Sequence, residues 1–351
     1  MSGASVRTPR WWYHRQHLGA PGGWRWMRRL LYPLSQIWAQ QTASRIAKTV
    51  PYVPGFPVIS VGNLTLGGSG KTPIVRALLA RLRASGIQAY GLSRGHGGQA
   101  HGPLRVDPAV HTAAEVGDEP RMLAFDGPYL VARDRVAGAR LATDLGAEAL
   151  VLDDAHQNPA LKKALSLVVI DAETRDGQWP FGEGPGGQGR VFPCGPLREP
   201  LHAGLSRADA VILLMPPGLS QPDPELLALM GPLPVLMARL EPVAPPPPGP
   251  QLGFAGIAKP WKVEQALRLA GCELIDFEAF ADHAPYTEAD LNRLATKAAD
   301  RGAGLITTEK DWVRLPADWQ TRVHCWPVQA TFDRPEALEA LIRDRTGLPM
   351  S

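Results

Sequence analysis

Short apolar runs rich in Val, Ile and Leu recur through the first 214 residues, with helical patterns between them. The runs lie at residues 57–61, 89–93, 129–132, 149–152, 167–171 and 210–214. After the first run the apolar residues follow helical spacing, at Ile74, Val75, Leu78, Leu79 and Leu82. Strands that alternate with helices predict a parallel sheet covered on both faces. We therefore predict an α/β fold with a mostly parallel sheet and flanking helices, and we expect ligands at the carboxyl ends of its strands.

A proline-rich stretch, expected to be stiff and extended, separates this pattern from a second one. The elements predicted beyond it are strands at 252–255 and 304–308 and helices at 260–270 and 287–299. We predict a main domain over 51–241, a linker over 242–250 and a smaller α/β domain over 251–351. We expect the smaller domain to close over the site of the main one, with its last residues free to return to the main domain.

The first 50 residues hold five of the ten tryptophans and a helical pattern that begins at Trp24. The pattern lacks the ~20 mostly apolar residues of a spanning helix and the compact apolar run of a signal peptide. Tryptophan and arginine around an apolar stripe favour a helix in the membrane interface. We therefore predict that residues 1–50 form a basic, Trp-rich, amphipathic, membrane-associating segment. A helix packed on the protein's own core and a nucleic-acid-binding arm stay open as alternatives. The apolar positions of the stripe are Met27, Leu30, Leu31, Leu34, Ile37 and Trp38.

The formal charge of +3 is distributed unevenly along the chain. No Asp or Glu precedes Asp107, whereas fourteen Lys or Arg do. A basic amino-terminal portion implies an anionic partner: nucleic acid, an acidic membrane surface or a phosphorylated substrate. The three cysteines, Cys194, Cys272 and Cys325, are far apart and fit neither a disulfide framework nor a metal site. This usage is typical of a reducing compartment.

A glycine-rich loop follows the first apolar run and leads directly into the first helical pattern. Strand, glycine loop, Lys-Thr and helix form the context that a phosphate-binding P-loop requires, so we expect a P-loop NTPase-like sheet. Lys71 would reach the outer phosphates, Thr72 would place a hydroxyl on magnesium, and Pro73 suits the first turn of a helix. Thr65 stands where the usual motif has glycine. The predicted nucleotide-binding residues are Thr65, Leu66, Gly67, Gly68, Ser69, Gly70, Lys71 and Thr72.

Acidic residues that phosphoryl transfer could use occur at three further places. Asp153 and Asp154 end an apolar run, as the magnesium-holding carboxylate of a P-loop enzyme does. Asp118 and Glu119, in a turn bounded by glycine and proline, could orient a hydroxyl and take its proton; a helix N-cap is an alternative for Asp118. His283 could pair with an acidic residue or lie on the surface as an ordinary polar residue. Four arginines could bind anionic groups or lie on the surface, namely Arg94, Arg133, Arg135 and Arg198.

These motifs together resemble the tetraacyldisaccharide 4′-kinase family, the lipid A 4′-kinases of Gram-negative bacteria. The resemblance runs from about residue 57 to residue 313, and its most specific strings are GPLREP at 195–200 and TTEKD at 307–311. The other matching segments are residues 60–72, 92–98, 117–120, 152–154, Gln157, 254–257 and 282–283. Thr65 in the P-loop is also usual in this family.

The resemblance implies transfer of the ATP γ-phosphate to the 4′-hydroxyl of a tetraacylated glucosamine disaccharide 1-phosphate. It implies Mg²⁺ and an enzyme on the cytoplasmic face of the inner membrane, and neither a nucleic acid nor a protein partner. By position, Asp118 is the expected catalytic base and His283 its partner. Glu119, Asp153 and Asp154, together with Thr72, are expected around the metal. The resemblance also places Asn63, Arg94 and Gln157 in the substrate site.

The chain departs from the family pattern in two segments. His96 stands where the arginine-glycine loop usually has tyrosine, and residues 155–158 read AHQN where the family usually reads GFQH. We assign no substrate contact to His96 or Asn158.

Two other functions stay open on the sequence. A membrane-associated P-loop switch or chaperone would hydrolyse nucleotide and bind a protein partner, although the chain lacks the Asn-Lys-x-Asp loop of a GTP-binding switch. A soluble small-molecule kinase would pack its amino-terminal helix inward.

Overall fold

A computed structural model gives the fold and describes residue 12 and residues 24–175, 178–182 and 184–350. Residues 1–11 and 13–23 of the predicted membrane-associating segment lie outside the described residues. The helices are α1 (Trp24–Lys48), α2 (Lys71–Ala84), α3 (Ala113–Val116), α4 (Asp118–Ala124), α5 (Arg135–Asp144), α6 (Leu201–Leu205), α7 (Pro224–Leu229), α8 (Pro260–Leu269), α9 (Glu288–Ala299), α10 (Glu309–Trp312), α11 (Ala317–Gln320) and α12 (Pro335–Thr346).

The strands are β1 (Val58–Gly62), β2 (Ala89–Ser93), β3 (Leu104–Arg105), β4 (Tyr129–Val131), β5 (Ala149–Asp153), β6 (Leu165–Asp171), β7 (Ala210–Met215), β8 (Val235–Pro242), β9 (Gln251–Ala255), β10 (Leu274–Ala279), β11 (Gly304–Thr308), β12 (Val323–Trp326) and β13 (Val328–Phe332). Every strand that the apolar runs predicted is present, and the α/β fold class is confirmed.

The chain forms two compact units that alternate along the sequence. The P-loop unit contains the described residues up to Ser93, together with Asp134–Leu240 and the carboxyl-terminal stretch that begins at Ala330. The Asp118 unit contains Arg94–Arg133 and Glu241–Gln329. The division predicted from the sequence, with its linker and its closing domain, stays a prediction.

The P-loop unit is built on a parallel sheet with strand order β8-β7-β6-β1-β5-β2. All residues of β1, β2, β5 and β7 are buried, because helices cover both faces of such a sheet. The apolar face of α2 packs onto this sheet through the five residues that the sequence pattern identified. This arrangement brings the carboxyl ends of β1 and β5 side by side, since Val61 pairs with Asp153 in the register of the two strands.

The Asp118 unit contains a four-stranded parallel sheet with order β10-β9-β11-β12 and the antiparallel pair β3-β4. Its core includes Phe254, Tyr286, Leu291, Leu294 and Trp319. A capping box between Thr287 and Asp290 begins α9, where the sequence pattern predicted a helix. The pattern missed β10 and β12, which are only partly buried and therefore lack a continuous apolar run.

Helix α1 buries two polar residues and exposes several of its apolar residues. Ser35 and Thr42 are buried, and the Ser35 hydroxyl donates to the carbonyl of Val191 at 2.9 Å. The exposed apolar residues are Leu30, Tyr32, Leu34, Ile37 and Trp38. None of the helices that the structure describes is long and apolar enough to cross a membrane.

Candidate active site

The P-loop lies between β1 and α2, as its sequence context predicts. The loop is tied to residues 196–198, because the Leu66 amide donates to the Pro196 carbonyl at 2.7 Å and the Arg198 amide to Leu64 at 2.8 Å. Gly70 has a φ of 73°, and a Cβ there would lie 2.4 Å from a Leu214 methyl group. Glycine is therefore required at the position where the loop enters the helix.

Four residues, which we call the P-loop cluster, meet beside this loop: Asn63, Lys71, Asp154 and Arg198. The Lys71 ammonium lies 3.2 Å from Asn63 Oδ1 and 3.5 Å from Asp154 Oδ1. Arg198 donates to the same Asp154 oxygen at 2.8 Å and to the Thr65 carbonyl at 3.1 Å. Burial alone would raise the pKa of Asp154, but the charges of Lys71 and Arg198 outweigh burial and hold that pKa well below its ordinary value.

The end of β5 offers oxygen donors suited to magnesium. Asp153 is buried in register with Val61, and Thr72 lies in the first turn of α2. Within the described residues no three His, Cys, Asp or Glu side chains converge as a metal cage. Magnesium bound beside phosphates usually needs only one or two carboxylates, with water and phosphate oxygens as the remaining ligands. Asp153, Asp154 and Thr72 fit that donor set.

Gln157 helps to hold the backbone behind the P-loop. Its amide donates to the Asn63 carbonyl at 2.9 Å and to Glu199 Oε1 at 3.0 Å. Glu199 is buried and accepts two hydrogen bonds from Arg207, at 2.7 and 2.6 Å. This network explains the glutamate of the GPLREP string, Glu199, whereas the substrate roles of Asn63 and Gln157 stay predictions.

His156 and Asn158, which depart from the family pattern, have hydrogen-bond partners within the protein. The His156 Nε2–H donates to the Gly204 carbonyl at 2.9 Å, and its Nδ1 accepts from the Ser166 hydroxyl at 3.0 Å. Burial lowers the pKa of His156 to about 3, so the ring is neutral. The Asn158 side chain accepts from the Ala160 amide at 2.9 Å.

Asp118 begins α4 in the other unit, where two backbones approach closely. A Cβ on Gly117 would lie 2.7 Å from the His96 carbonyl oxygen, and a Cβ on Gly98 would lie 2.6 Å from the Gly117 nitrogen. Gly98 and Gly117 are therefore needed for packing. Asp118 makes no side-chain cap on α4, whose N-cap is Gly117, so the N-cap interpretation of Asp118 is wrong.

The structure brings Asp118 and His283 together, although they are 165 positions apart in sequence. His283 Nδ1 lies 2.8 Å from Asp118 Oδ2, and the Arg314 Nε lies 3.7 Å from the same oxygen. Burial alone would raise the pKa of Asp118, but the hydrogen bond from His283 and the Arg314 charge outweigh it and lower that pKa. An ionised carboxylate only accepts, so His283 Nδ1 carries the hydrogen and donates.

Lys310 and Glu119 complete this group. We call its five residues the Asp118 cluster: Asp118, Glu119, His283, Lys310 and Arg314. The Lys310 ammonium lies 3.1 Å from His283 Nε2 and 3.2 Å from Glu119 Oε1. Burial opposes the charge on Lys310, but the carboxylates of Glu119, Asp282 and Asp118 outweigh it and raise the pKa of Lys310. The metal role expected of Glu119 stays a prediction.

Sequence reasoning gave no role to the residues that hold His283 in place. His283 has a φ of 58°, and its amide donates to the Gly256 carbonyl at 3.2 Å. Arg314 donates to that carbonyl and to the Ala284 carbonyl, each at 3.0 Å, and pairs with the buried Asp311. The FAGI and TTEKD strings marked Gly256 and Asp311, but their contact with His283 is not readable from the sequence.

Two residues of the arginine-glycine loop, His96 and Arg94, differ in their surroundings. The His96 ring packs edge-to-face on the His283 ring, with centroids 5.5 Å apart. Burial, followed by the effect of His283, lowers the pKa of His96. Arg94 is exposed, and its predicted place in the substrate site stays a prediction.

Comparison with known proteins agrees with the motifs. The family model of tetraacyldisaccharide-1-P 4′-kinase matches residues 27–347. A tetraacyldisaccharide 4′-kinase of Caulobacter vibrioides is 60% identical over 336 residues, which cover 96% of this chain and 98% of the relative. One from Rhodospirillum rubrum is 42% identical and covers 96% of this chain and 97% of the relative.

A solved structure agrees as well. The crystal structure of the "apo" form of LpxK from Aquifex aeolicus in complex with ATP superposes with a TM-score of 0.70 at 25% identity, covering 91% of this chain and 99% of that one. The switch or chaperone alternative is not favoured by these matches. With the P-loop, the Asp118–His283 pair and the family strings in one chain, the protein belongs to the tetraacyldisaccharide-1-P 4′-kinase family.

Proposed function

We propose that the chain transfers the γ-phosphate of ATP to the 4′-hydroxyl of a tetraacylated glucosamine disaccharide 1-phosphate, a lipid A precursor. Family membership and the ATP in the related crystal structure support this reaction. The observation that carries the proposal is the 2.8 Å contact between Asp118 and His283 in a chain that also has a P-loop. Transfer to a hydroxyl requires a base as well as a phosphate site.

Asp118 acts as that base. Its lowered pKa keeps the carboxylate ionised at neutral pH, so it can accept the hydroxyl proton. His283 holds Oδ2 by its Nδ1–H and thereby presents the other oxygen to the acceptor. As the proton moves to Asp118, the sugar oxygen forms a bond to the γ-phosphorus and the bond to the departing ADP breaks. A positioned base contributes about 10²- to 10⁴-fold to such a step.

Lys71, Arg198 and the backbone amides of the P-loop bind the phosphates. Asp154 keeps both cations beside the loop, at 3.5 Å from Lys71 and 2.8 Å from Arg198, and both can turn to phosphate oxygens when these arrive. Thr72, Asp153 and Asp154 would hold Mg²⁺, which would supply positive charge to neutralise the phosphate oxygens. Asn63, Arg94 and Gln157 line the substrate site in this proposal, and Glu119 belongs to the metal environment.

Helix α1 carries the enzyme to the lipid at the cytoplasmic face of the inner membrane. Leu30 and Leu34 expose 68% and 53% of their surface, while Ser35 and Thr42 are buried beneath the helix. Arg28, Arg29 and other basic residues accompany this apolar surface, as in helices that lie in an anionic membrane interface. A helix packed on the core by its apolar face would show the opposite pattern.

The membrane part is tested by flotation with vesicles that contain anionic lipid. The Leu30→Ser, Leu34→Ser variant is expected to lose most vesicle binding without losing stability, because both residues are exposed already. Leu269→Ser removes an equally exposed leucine from the other unit and serves as the matched control. Equal binding of the double variant and the control would exclude α1 as the anchor.

The reaction is tested with γ-labelled ATP and the tetraacyl disaccharide 1-phosphate in detergent micelles. Formation of labelled bisphosphorylated glycolipid by the wild type, and its loss in Lys71→Met and Asp118→Asn, is the expected result. If the protein hydrolyses ATP but labels no lipid, the P-loop switch becomes the better explanation.

A further inference from the structure

The side chain of Lys310, in the TTEKD string, contacts His283 of the catalytic pair, and the proposed reaction gives Lys310 no task. Its ammonium lies 3.1 Å from His283 Nε2, 3.2 Å from Glu119 and 3.9 Å from Asp282. It therefore contacts three residues from two chain segments that are more than 160 positions apart. A surface lysine with a single ion pair would not hold such a position, since the side chain loses rotamer entropy when it is fixed.

The backbone that carries Lys310 is fixed by its neighbour. Asp311 is fully buried and accepts hydrogen bonds from the Gly256 amide at 2.9 Å and from the Tyr286 hydroxyl at 2.7 Å. Thr308 caps the short helix α10 through the Asp311 amide, and Arg314 pairs with the Asp311 carboxylate. Because these contacts fix α10, the start of the Lys310 side chain is fixed with it.

Both ring nitrogens of His283 are occupied in this arrangement. Nδ1 donates to Asp118, so the neutral ring has its lone pair on Nε2, and that lone pair accepts from the Lys310 ammonium. The His283 side chain is still 29% exposed, so burial alone does not fix the ring. With Lys310 absent, one of the two hydrogen-bonded anchors of the ring is lost.

We propose that Lys310 is a positioning residue for phosphate transfer, which holds the His283 ring by its Nε2 and so keeps Asp118 aimed at the acceptor hydroxyl. This inference rests on the proposed function for its kinetic test. It assigns no substrate contact to Lys310, and that distinguishes it from a phosphate-binding lysine such as Lys71.

A double-mutant cycle tests whether Lys310 acts through His283. Lys310→Met is expected to lower kcat by about 10- to 100-fold, the usual cost of losing a residue that orients a catalytic or metal-binding group. The KM for ATP should change little. In the His283→Ala background the same substitution should have almost no further effect. Equal losses of kcat in both backgrounds would overturn the proposal, because Lys310 would then act independently of His283.

Two further variants control for a loss of activity that is caused by misfolding. Lys310→Arg keeps the charge and the donors, so it should recover most of the activity that Lys310→Met loses. Lys297→Met is the matched control, since Lys297 binds Asp276 and Glu278 in the same unit at 2.7 and 2.8 Å and lies outside the site. Loss of activity in Lys310→Arg to the level of Lys310→Met would contradict the proposal.

Histidine NMR gives a readout that needs no activity. The protein is labelled with ¹⁵N-histidine, and the His283 ring signal is assigned by its absence in His283→Gln. The ring N–H of His283 should exchange slowly with solvent in the wild type and in Lys310→Arg. It should exchange fast or broaden in Lys310→Met. An unchanged N–H signal in Lys310→Met overturns the inference, whereas a wild type that labels no lipid overturns only the proposed function.

Discussion

Asp154 and Asp118 are both carboxylates whose pKa values lie below the ordinary range, but their surroundings differ. The Asp154 side chain is 35% exposed and holds Lys71 and Arg198, two cations that phosphate oxygens also attract. The Asp118 side chain is 9% exposed and lies against His283 and Arg314, which are themselves bound to protein carbonyls and to Asp311.

This difference indicates how each carboxylate works. The partners of Asp154 can turn to an arriving phosphate, so Asp154 keeps cations in readiness for a charged ligand. The partners of Asp118 have no such freedom, because Arg314 is fixed by two carbonyls and by Asp311. A base that is aimed by fixed neighbours needs little reorganisation when the acceptor binds.

The largest effect is expected from Asp118→Asn. Asparagine keeps the size of the side chain but cannot take the hydroxyl proton, so kcat for lipid phosphorylation should fall by about 10²- to 10⁴-fold. ATP affinity should be unchanged, because the phosphates are bound in the other cluster. Steady-state kinetics and ATP titration measure the two quantities, and near-normal turnover would remove Asp118 from the mechanism.

Lys71→Met should have the next largest effect and should act on the nucleotide side. Loss of one preorganised cation at a developing charge costs on the order of 10²- to 10³-fold in turnover. Unlike Asp118→Asn, this variant should also bind ATP more weakly. If Lys71→Met binds ATP with the wild-type affinity, the P-loop cluster does not bind the phosphates in the way that distinguishes it here from the Asp118 cluster.

Arg198→Lys is expected to cost about tenfold in kcat/KM for ATP, or about 1.4 kcal/mol. Lysine keeps the charge but cannot bind the Thr65 carbonyl and Asp154 at the same time, as the planar guanidinium does. Arg293→Lys is the control for replacing an arginine by lysine in general, because Arg293 lies on α9 and pairs with Glu278. ATP kinetics of the two variants are compared. A loss equal to that of the control would show that bidentate geometry is unimportant here.

The smallest effect on phosphate transfer, less than about twofold, is expected from His156→Phe, because the ring nitrogens of His156 bond to Ser166 and to the Gly204 carbonyl and to no residue of the P-loop cluster. Its effect should be on acid stability instead. Burial lowers the pKa of His156 to about 3, whereas the unfolded chain titrates near 6.5, so the unfolded state binds more protons between these values. The free energy of unfolding should therefore fall as pH drops from about 6.5 towards about 3, with a slope of up to ~1.4 kcal/mol per pH unit from this residue.

Urea unfolding at several pH values measures that slope. His156→Phe should have a shallower acid dependence than the wild type, together with a loss of about 1–3 kcal/mol at neutral pH because the Ser166 hydroxyl and the Gly204 carbonyl lose their partner. If the free energy of unfolding falls equally with pH in both proteins, His156 is not the source of the acid dependence.

The sequence by itself determined the P-loop, the parallel sheet and the family. A P-loop is built from consecutive residues, so strand, glycines, Lys71 and Thr72 are visible together in one short stretch. Fully buried strands such as β5 and β7 leave continuous apolar runs, which is why the pattern predicted them. The specific strings GPLREP and TTEKD identified the family before any geometry was available.

The family resemblance implied the Asp118–His283 pair, but only the tertiary structure decided that these two residues meet and that Lys310 and Arg314 join them. The chain alternates between the two units, so Asp118 and His283 share a unit although residues 134–240 of the P-loop unit lie between them in sequence. Such pairing depends on the packing of whole elements and leaves no local signal. The exposed side of α1 was likewise undecided, because a helical stripe has the same periodicity whether it faces a core or a lipid surface. The burial of Ser35 and Thr42, with the hydrogen bond from Ser35 to Val191, shows that Leu30 and Leu34 lie on the exposed side of the helix.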